Sequence, residues 1–277
     1  MTNCLFGFPR MTPYYTAAGG SWNATYPVAN LLSLPLSRVA RSTNALVAST
    51  VIDLTSSPAQ SATTVSLARH NLSGNAQIRV NCWADAARTT PTFVGGYEDV
   101  WPTALKTMTA AERANAVWTW FKRFSATPIT CGAIRLEISD AANAAGYVQA
   151  GFAEVCQHFE TRWNFEWGMN WGFTFRSQVT EAIGGAQYVD RRAKPRIARG
   201  NFPFVTRDQS QTKFWEMWRQ LDLADPLLFV PLYDEPTHYP RTAMLAQQLD
   251  AGPARMAMRG AGTLIDSVPF SLREIIG

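Results

Sequence analysis

Charge is what this sequence has least of. Only 17% of its 277 residues are Asp, Glu, Lys or Arg, where soluble globular chains carry about 25%. Lysine is nearly missing: Lys106, Lys122, Lys194 and Lys213 are the only ones, and arginine supplies the rest of the 25 basic residues. Arginine's planar, weakly hydrated fork suits desolvated ion pairs and interfaces, although a GC-rich coding bias favouring Arg and Ala together explains part of the excess. The net charge of +4 is modest. The one basic run, Asp190–Arg196, reads as a solvated or ion-paired strand end, so no nucleic-acid partner is expected.

Metal and redox motifs are also missing. Cys4, Cys82, Cys131 and Cys156 are widely spaced without a C-x-x-C pair, and read as four thiols. His70, His158 and His238 stand in separate segments without ligand spacing. Cys156 and His158 share a strand face at i,i+2 but lack a third ligand, so neither a metal nor another cofactor is expected. No run approaches the roughly 20 apolar residues of a membrane span, and no basic stretch leads an apolar one at the N-terminus as in a signal peptide. G-x-S-x-G, H-E-x-x-H, Walker A and complete G-x-G-x-x-G motifs are all absent. Glycoside hydrolysis needs two carboxylates facing one cleft, and Asp234-Glu235 before Pro236 reads as a solvated turn. The expectation is a protein that is not an enzyme.

What the sequence has instead is apolar bulk. Hydrophobic residues make up 47%, with ten Trp and fifteen Phe, which excludes a disordered chain. The first half reads as strands. Ala133–Ser139 is the cleanest period-two segment, with Ile134, Leu136 and Ile138 on one side and Arg135 and Glu137 facing away. Gln77–Trp83 alternates likewise through Ile78, Val80 and Cys82. Val51–Leu54, Thr64–Ala68 and Tyr147–Phe152 complete the set, separated by turn chemistry at 56–58, 71–75 and 140–143. Short strands at such spacing predict an antiparallel sandwich.

Between them lies an excursion at about 85–128. Its second part predicts a helix over 110–124, with Val117, Phe121 and Phe124 at helical spacing, Thr109 as N-cap and Glu112 completing a capping box. A loop of this length forms a functional or contact element. Beyond residue 156 the pattern shifts. Trp163–Trp167 and Trp171–Phe175 read as aromatic strands, and Gly184-Gly185 as a hairpin turn. Asn201–Val205 is a further strand, with Pro203 at an edge or bulge. A helix at about 208–222, capped by Asp208, would face inward through Phe214, Met217, Trp218 and Leu221. Strands at Pro226–Leu232, Ala243–Gln248 and Ser267–Ile275 follow. The predicted fold is mainly β. Residues 1–156 form an antiparallel jelly-roll sandwich with the helical insertion, and 157–277 a β-rich domain with one packed helix.

Two readings fit the aromatics in predicted loops. Trp22, Asn23, Tyr97 and Trp101 have the composition of a carbohydrate platform. Trp, Tyr and Arg are also the residue types enriched at subunit anchors, which singles out Trp163, Trp167, Trp171, Arg191 and Arg192 as interface candidates. Asn23-Ala24-Thr25 and Asn71-Leu72-Ser73 match the glycosylation sequon, which matters only in a secreted chain.

Longer motifs point to a family. Asn23–Leu32 followed by Ser37–Ser42 resembles the opening of galactose-binding-like (discoidin-type) jelly rolls of bacteriophage tail proteins. Leu67–Val80 is the most specific match, and Phe93–Pro102 and Ile134–Asp140 occur in the same order. Gly184–Tyr188, Arg191–Arg196, the aromatic helix and Phe270–Ile275 resemble tail-tip proteins. The resemblance implies a structural component of a siphophage baseplate or tail tip, located in the virion and, during assembly, in the host cytoplasm. Its partners would be other tail and baseplate proteins and further copies of itself in a ring, trimer or hexamer, with host-surface glycans as a second class. It carries over no sugar-binding residue, because the loops of that superfamily vary widely. His70, inside the matched strand end, would make a structural bond to a neighbouring loop. Residues 85–128 and 163–175 would be less exposed in the particle than in the free chain.

Overall fold

The computed structural model describes residues 3–161, 163–165, 168–235, 237–250, 255–260 and 263–277. They fall into two compact units, one formed by 1–160, 227–245 and 277, the other by 161–226 and 246–276.

The first unit is the β-sandwich that the alternating runs predict. One sheet has, in order, the strands Thr16–Ala18, Ile52–Ala62, Ile129–Ser139, Gln77–Trp83 and Pro91–Val94, with Glu98–Asp99 also beside Gln77–Trp83. The other has Phe152–Cys156, Thr64–Ala68 and Thr119–Arg123. Both are antiparallel throughout. Register explains the core. Leu136 lies opposite Ile52 and Val80, and Ile134 opposite Leu54 and Cys82; all six are buried and join one cluster with Val65, Leu67 and Trp120. Each such side chain withdrawn from water contributes about 1.5–3 kcal/mol. All four cysteines are buried free thiols.

Residues 227–245, expected in the second domain, pack into this first unit. Leu227–Val230 pairs antiparallel with Leu5–Gly7, whose other edge pairs with Phe159–Glu160. Phe6 stacks on Phe159 at 5.1 Å and lies 5.2 Å from Phe229. A strand buried on both faces reads as a continuous apolar run, so its pattern reveals a strand without revealing its partner. Nearby, the fully buried Glu154 accepts from Arg10 Nε at 3.0 Å and Nη2 at 3.3 Å.

The excursion at 85–128 folds into the sandwich rather than standing apart. Thr109 and Glu112 form the expected capping box, but the helix stops at Ala114. The stretch expected to continue it is the strand Thr119–Arg123, paired with Thr64–Ala68. Trp118, Trp120 and Phe124 are buried, as are Val100, Trp101 and Leu105. Helical spacing of Val117, Phe121 and Phe124 competes here with the strand preference of a Trp-Thr-Trp-Phe run, and the open edge of a partner strand decides.

In the second unit a sheet carries, in order, residues 246–250, Thr263–Glu274, Arg196–Thr206 and Asn170–Phe173, with Arg255–Gly260 also on Thr263–Glu274. The bulge expected at Pro203 falls between Phe202 and Val205. A helical run over 207–220, its middle turn Ser210–Trp215 wound as a π-helix, replaces the predicted 208–222 helix. Thr206 caps it instead of Asp208, its Oγ1 accepting from Gln209 N at 3.2 Å. Phe214 and Met217 are buried as expected, while Trp218 and Leu221 are half-buried. Phe202 centres this core, 5.5 Å from Phe214, 5.0 Å from Phe270 and 6.3 Å from Phe165. The expected strand at Trp163–Trp167 is absent over 163–165, where Phe165 N donates to Asn164 Oδ1 and turns the chain.

His70 makes a prediction about stability. Its Nδ1 is buried without a hydrogen-bond partner, so the expected structural bond is not made there; the ring packs edge-on to Trp101 at 5.5 Å. Burial lowers its pKa from 6.5 to about 3. Below about pH 6.5 the unfolded chain binds a proton that the folded chain refuses, so stability falls with falling pH down to about 3. One such group gives a slope of up to ~1.4 kcal/mol per pH unit. His158 is shifted the same way, by burial and then by Arg123. Urea unfolding at pH 7.5 and 5.0 should show the loss, and His70→Leu should flatten the slope. Equal slopes in the two proteins would refute the assignment.

Candidate functional site

Two surfaces of the first unit come from residues that the inward pattern pushes outward. Ile78, Val80, Leu136 and Ile138 fill the core, which leaves Arg79 and Glu137 on the outer face, opposite each other in register. They form an ion pair at 2.5 Å. The exposed Tyr97 places its ring 5.0 Å from the Arg79 guanidinium and donates its hydroxyl to Glu137 Oε2 at 3.1 Å. Desolvation and that hydrogen bond raise the Tyr97 pKa. Trp22 reaches the same end of the sheet, its Nε1 donating to the Val51 carbonyl at 3.2 Å. The pairing of Ile52 with Leu136 sets Val51 alongside Glu137. Trp22, half-buried, packs against the core cluster on the Val51 side of the sheet, whereas Tyr97 alone covers the Arg79–Glu137 pair on the outer face. Asn23, beside Trp22, is exposed, and its Oδ1 accepts from Thr25 N at 2.8 Å.

Trp101 does not belong to this surface. It is 1% exposed, edge-on to Trp118 at 5.1 Å. The turn that carries it folds under the sandwich, so no ring face meets solvent. Of the four carbohydrate candidates, the structure leaves Asn23 and Tyr97 exposed, half-buries Trp22 against the core and buries Trp101, and among the described residues it shows no contact that joins them.

The second surface centres on Arg41. Its guanidinium lies over the rings of Tyr26 at 4.6 Å and Tyr147 at 4.3 Å. Nε and Nη2 both donate to Gln149 Oε1, at 3.2 and 2.8 Å. Gln149 is fixed in turn through Asn71, whose Oδ1 accepts the Gln149 backbone N–H at 2.7 Å. Among the described residues no three or more His, Cys, Asp or Glu side chains are grouped to hold a metal ion. No helix among the described residues is long and apolar enough to cross a membrane.

The second unit presents a different kind of surface. Trp171 and Phe173, on the strand Asn170–Phe173, are each 57% exposed, and Phe175 is 75% exposed. Gln178–Glu181 and Gln187–Asp190 pair as a hairpin around Gly185, whose φ of +82° suits the turn that Gly184-Gly185 predicts. All eight strand residues are exposed, so neither face of this hairpin packs on the unit. Val179, Ile183, Tyr188 and Val189 all stand in water. Of the interface candidates, Trp163 and Trp171 are exposed; so are Arg191 and Arg192, the latter paired with Asp190 at 2.7 Å. Trp167 lies outside the described residues. Sequence reasoning did not single out Arg79, Glu137 or Arg41 as site residues, nor the hairpin side chains. Glu137 carried a signal in its outward position on the alternating strand; a hairpin bare on both faces has none, because alternation also describes a half-buried strand.

No family model and no curated protein matches this chain. Several solved structures do. The family 32 carbohydrate-binding module of C. perfringens NanJ, in complex with galactose, is 12% identical over 56% of this chain and 99% of that one, with a TM-score of 0.39. The family 32 module of AlyQ, in complex with 4,5-unsaturated mannuronic acid, is 15% identical over 50% and 92%, with a TM-score of 0.35. Reduced XRCC1 bound to the DNA polymerase β catalytic domain gives 12% over 50% and 93%, with a TM-score of 0.36. Likenesses at these scores assign neither a ligand nor an origin to this chain.

Proposed function

We propose that the chain is a non-catalytic structural subunit of a siphophage baseplate or tail tip, joined to other tail proteins and to copies of itself through its second unit. The observation that carries this reading is the run of exposed large apolar side chains from Trp163 to Leu223. Ten lie there besides Leu223 itself: Trp163, Trp171, Phe173, Phe175, Val179, Ile183, Tyr188, Val189, Phe204 and Trp215. Such patches mark interaction surfaces, and a two-stranded hairpin is marginal in water unless something packs on it. The low charge and the arginine excess support the same reading, and the sequence resemblance to tail-tip proteins supplies the kind of particle. The virion is then its site of action and the host cytoplasm its site of assembly. Mass spectrometry and antibody-gold labelling of purified particles should find the chain at the tail end. Particles that lack it would overturn the reading.

A second reading, carbohydrate recognition by the first unit, is favoured by one observation: the exposed Tyr97 ring lies beside the Arg79–Glu137 pair on the outer sheet face. Aromatic faces beside fixed donors and acceptors suit a sugar ring, and such a site serves host attachment without catalysis. Titration with host-surface polysaccharide should show binding that Tyr97→Ala weakens at least tenfold. No binding at millimolar ligand would exclude it.

A further inference from the structure

We infer that the hairpin of one copy docks on the helical run 207–220 and the turn after it, 221–225, of the next copy. This rests on the structural-subunit reading and names the partner of its exposed surface. The two patches are complementary in charge. Residues 176–194 carry Arg176, Arg191, Arg192 and Lys194 against Glu181 and Asp190, a net charge of +2. Residues 207–225 carry Asp208, Glu216, Asp222 and Asp225 against Arg207, Lys213 and Arg219, a net charge of −1, and Arg207 is taken up by Asp266 from outside the patch, which leaves −2 on the rest. Within each patch the nearest opposite charges are already paired, Arg192 with Asp190 at 2.7 Å and Arg219 with Glu216 at 2.6 Å. Among the described residues, Arg176, Arg191 and Lys194 have no carboxylate partner, and Asp208 and Asp222 have no cation partner.

Both patches also offer apolar surface. Val179, Tyr188 and Val189 are 61%, 66% and 52% exposed on the hairpin, and Trp215 and Leu223 are 48% and 59% exposed on the acceptor. Desolvating these side chains supplies affinity, while the opposite charges fix register and reject a hairpin-to-hairpin or helix-to-helix contact. The two patches belong to one chain but are different surfaces, so the contact is head-to-tail. A bound pair leaves one hairpin and one acceptor free, so the array grows by head-to-tail addition, as a ring where the rotation per step closes and as a filament where it does not.

Sedimentation of the full chain over a concentration series should show self-association, weakened at least tenfold between roughly 0.1 and 0.5 M salt. Arg191→Glu with Arg192→Glu, and separately Asp208→Lys with Asp222→Lys, should each give a folded monomer by circular dichroism. An equimolar mixture of the two should associate again, because the reversed hairpin of one fits the reversed acceptor of the other and both remaining patches are unaltered. A mixture that stays monomeric, or either variant associating like the parent, would overturn the contact. Should a double variant lose its fold, Arg191→Ser and Asp222→Ser replace it, each expected to weaken association about threefold, and no weakening overturns the contact. A parent chain monomeric at every concentration also overturns it, while the presence of the chain in particles is decided independently.

Discussion

One helix covers one face of one sheet, and among the described residues of the second unit a single long helical run, 207–220, packs on its aromatics. Phe202, Phe214 and Phe270 close a small core under that run. The apolar side chains beyond its reach, on Asn170–Phe173 and on the hairpin, stay in water. The first unit has no such shortage, because two sheets face each other and even the tryptophans of the 85–128 excursion find a place between or beneath them. The composition of the chain thus resolves into two different situations. In the first unit low charge reflects a full core, and in the second it reflects a surface that no described residue covers.

The few charges present are used sparingly and in pairs. Arg10 with Glu154 and Arg196 with Glu274 bury their carboxylates almost completely. Asp53, 8% exposed at its side chain, takes both Arg135 and Arg88. Arginine's fork meets these geometries where lysine's single ammonium would leave an oxygen unpaired. The arginine excess is therefore partly structural. Three cations without a carboxylate partner among the described residues, Arg176, Arg191 and Lys194, stand beside the hairpin, where the proposed function needs them.

Much of the first unit could be read from the sequence, because its central strands alternate cleanly and their inward side chains are those that meet in register. Ile134, Leu136, Ile78 and Val80 are such positions. The errors arose where non-local pairing decides between two local patterns. Thr119–Arg123 has residues at helical spacing nearby yet becomes a strand on the edge of Thr64–Ala68. Leu227–Val230 is apolar at every position, and nothing local says that its neighbour is Leu5–Gly7, more than two hundred residues earlier. Trp101 sits in a loop by sequence, but loops can fold inward, and this one does. The candidate site was legible only in outline: the aromatic residue type at Tyr97 pointed to a surface, while the Arg79–Glu137 pair beside it needed the register to appear.

The central claim is that the second unit's bare hairpin and aromatic strand are surfaces waiting for a neighbour. Amide hydrogen exchange tests it directly, read over residues 170–190 in the dilute free chain and again in the assembled particle. The account predicts fast exchange on the outer edges of the hairpin in the free chain and strong protection over the same residues after assembly. Equal exchange in both states, with 170–190 as open in the particle as in solution, would contradict it.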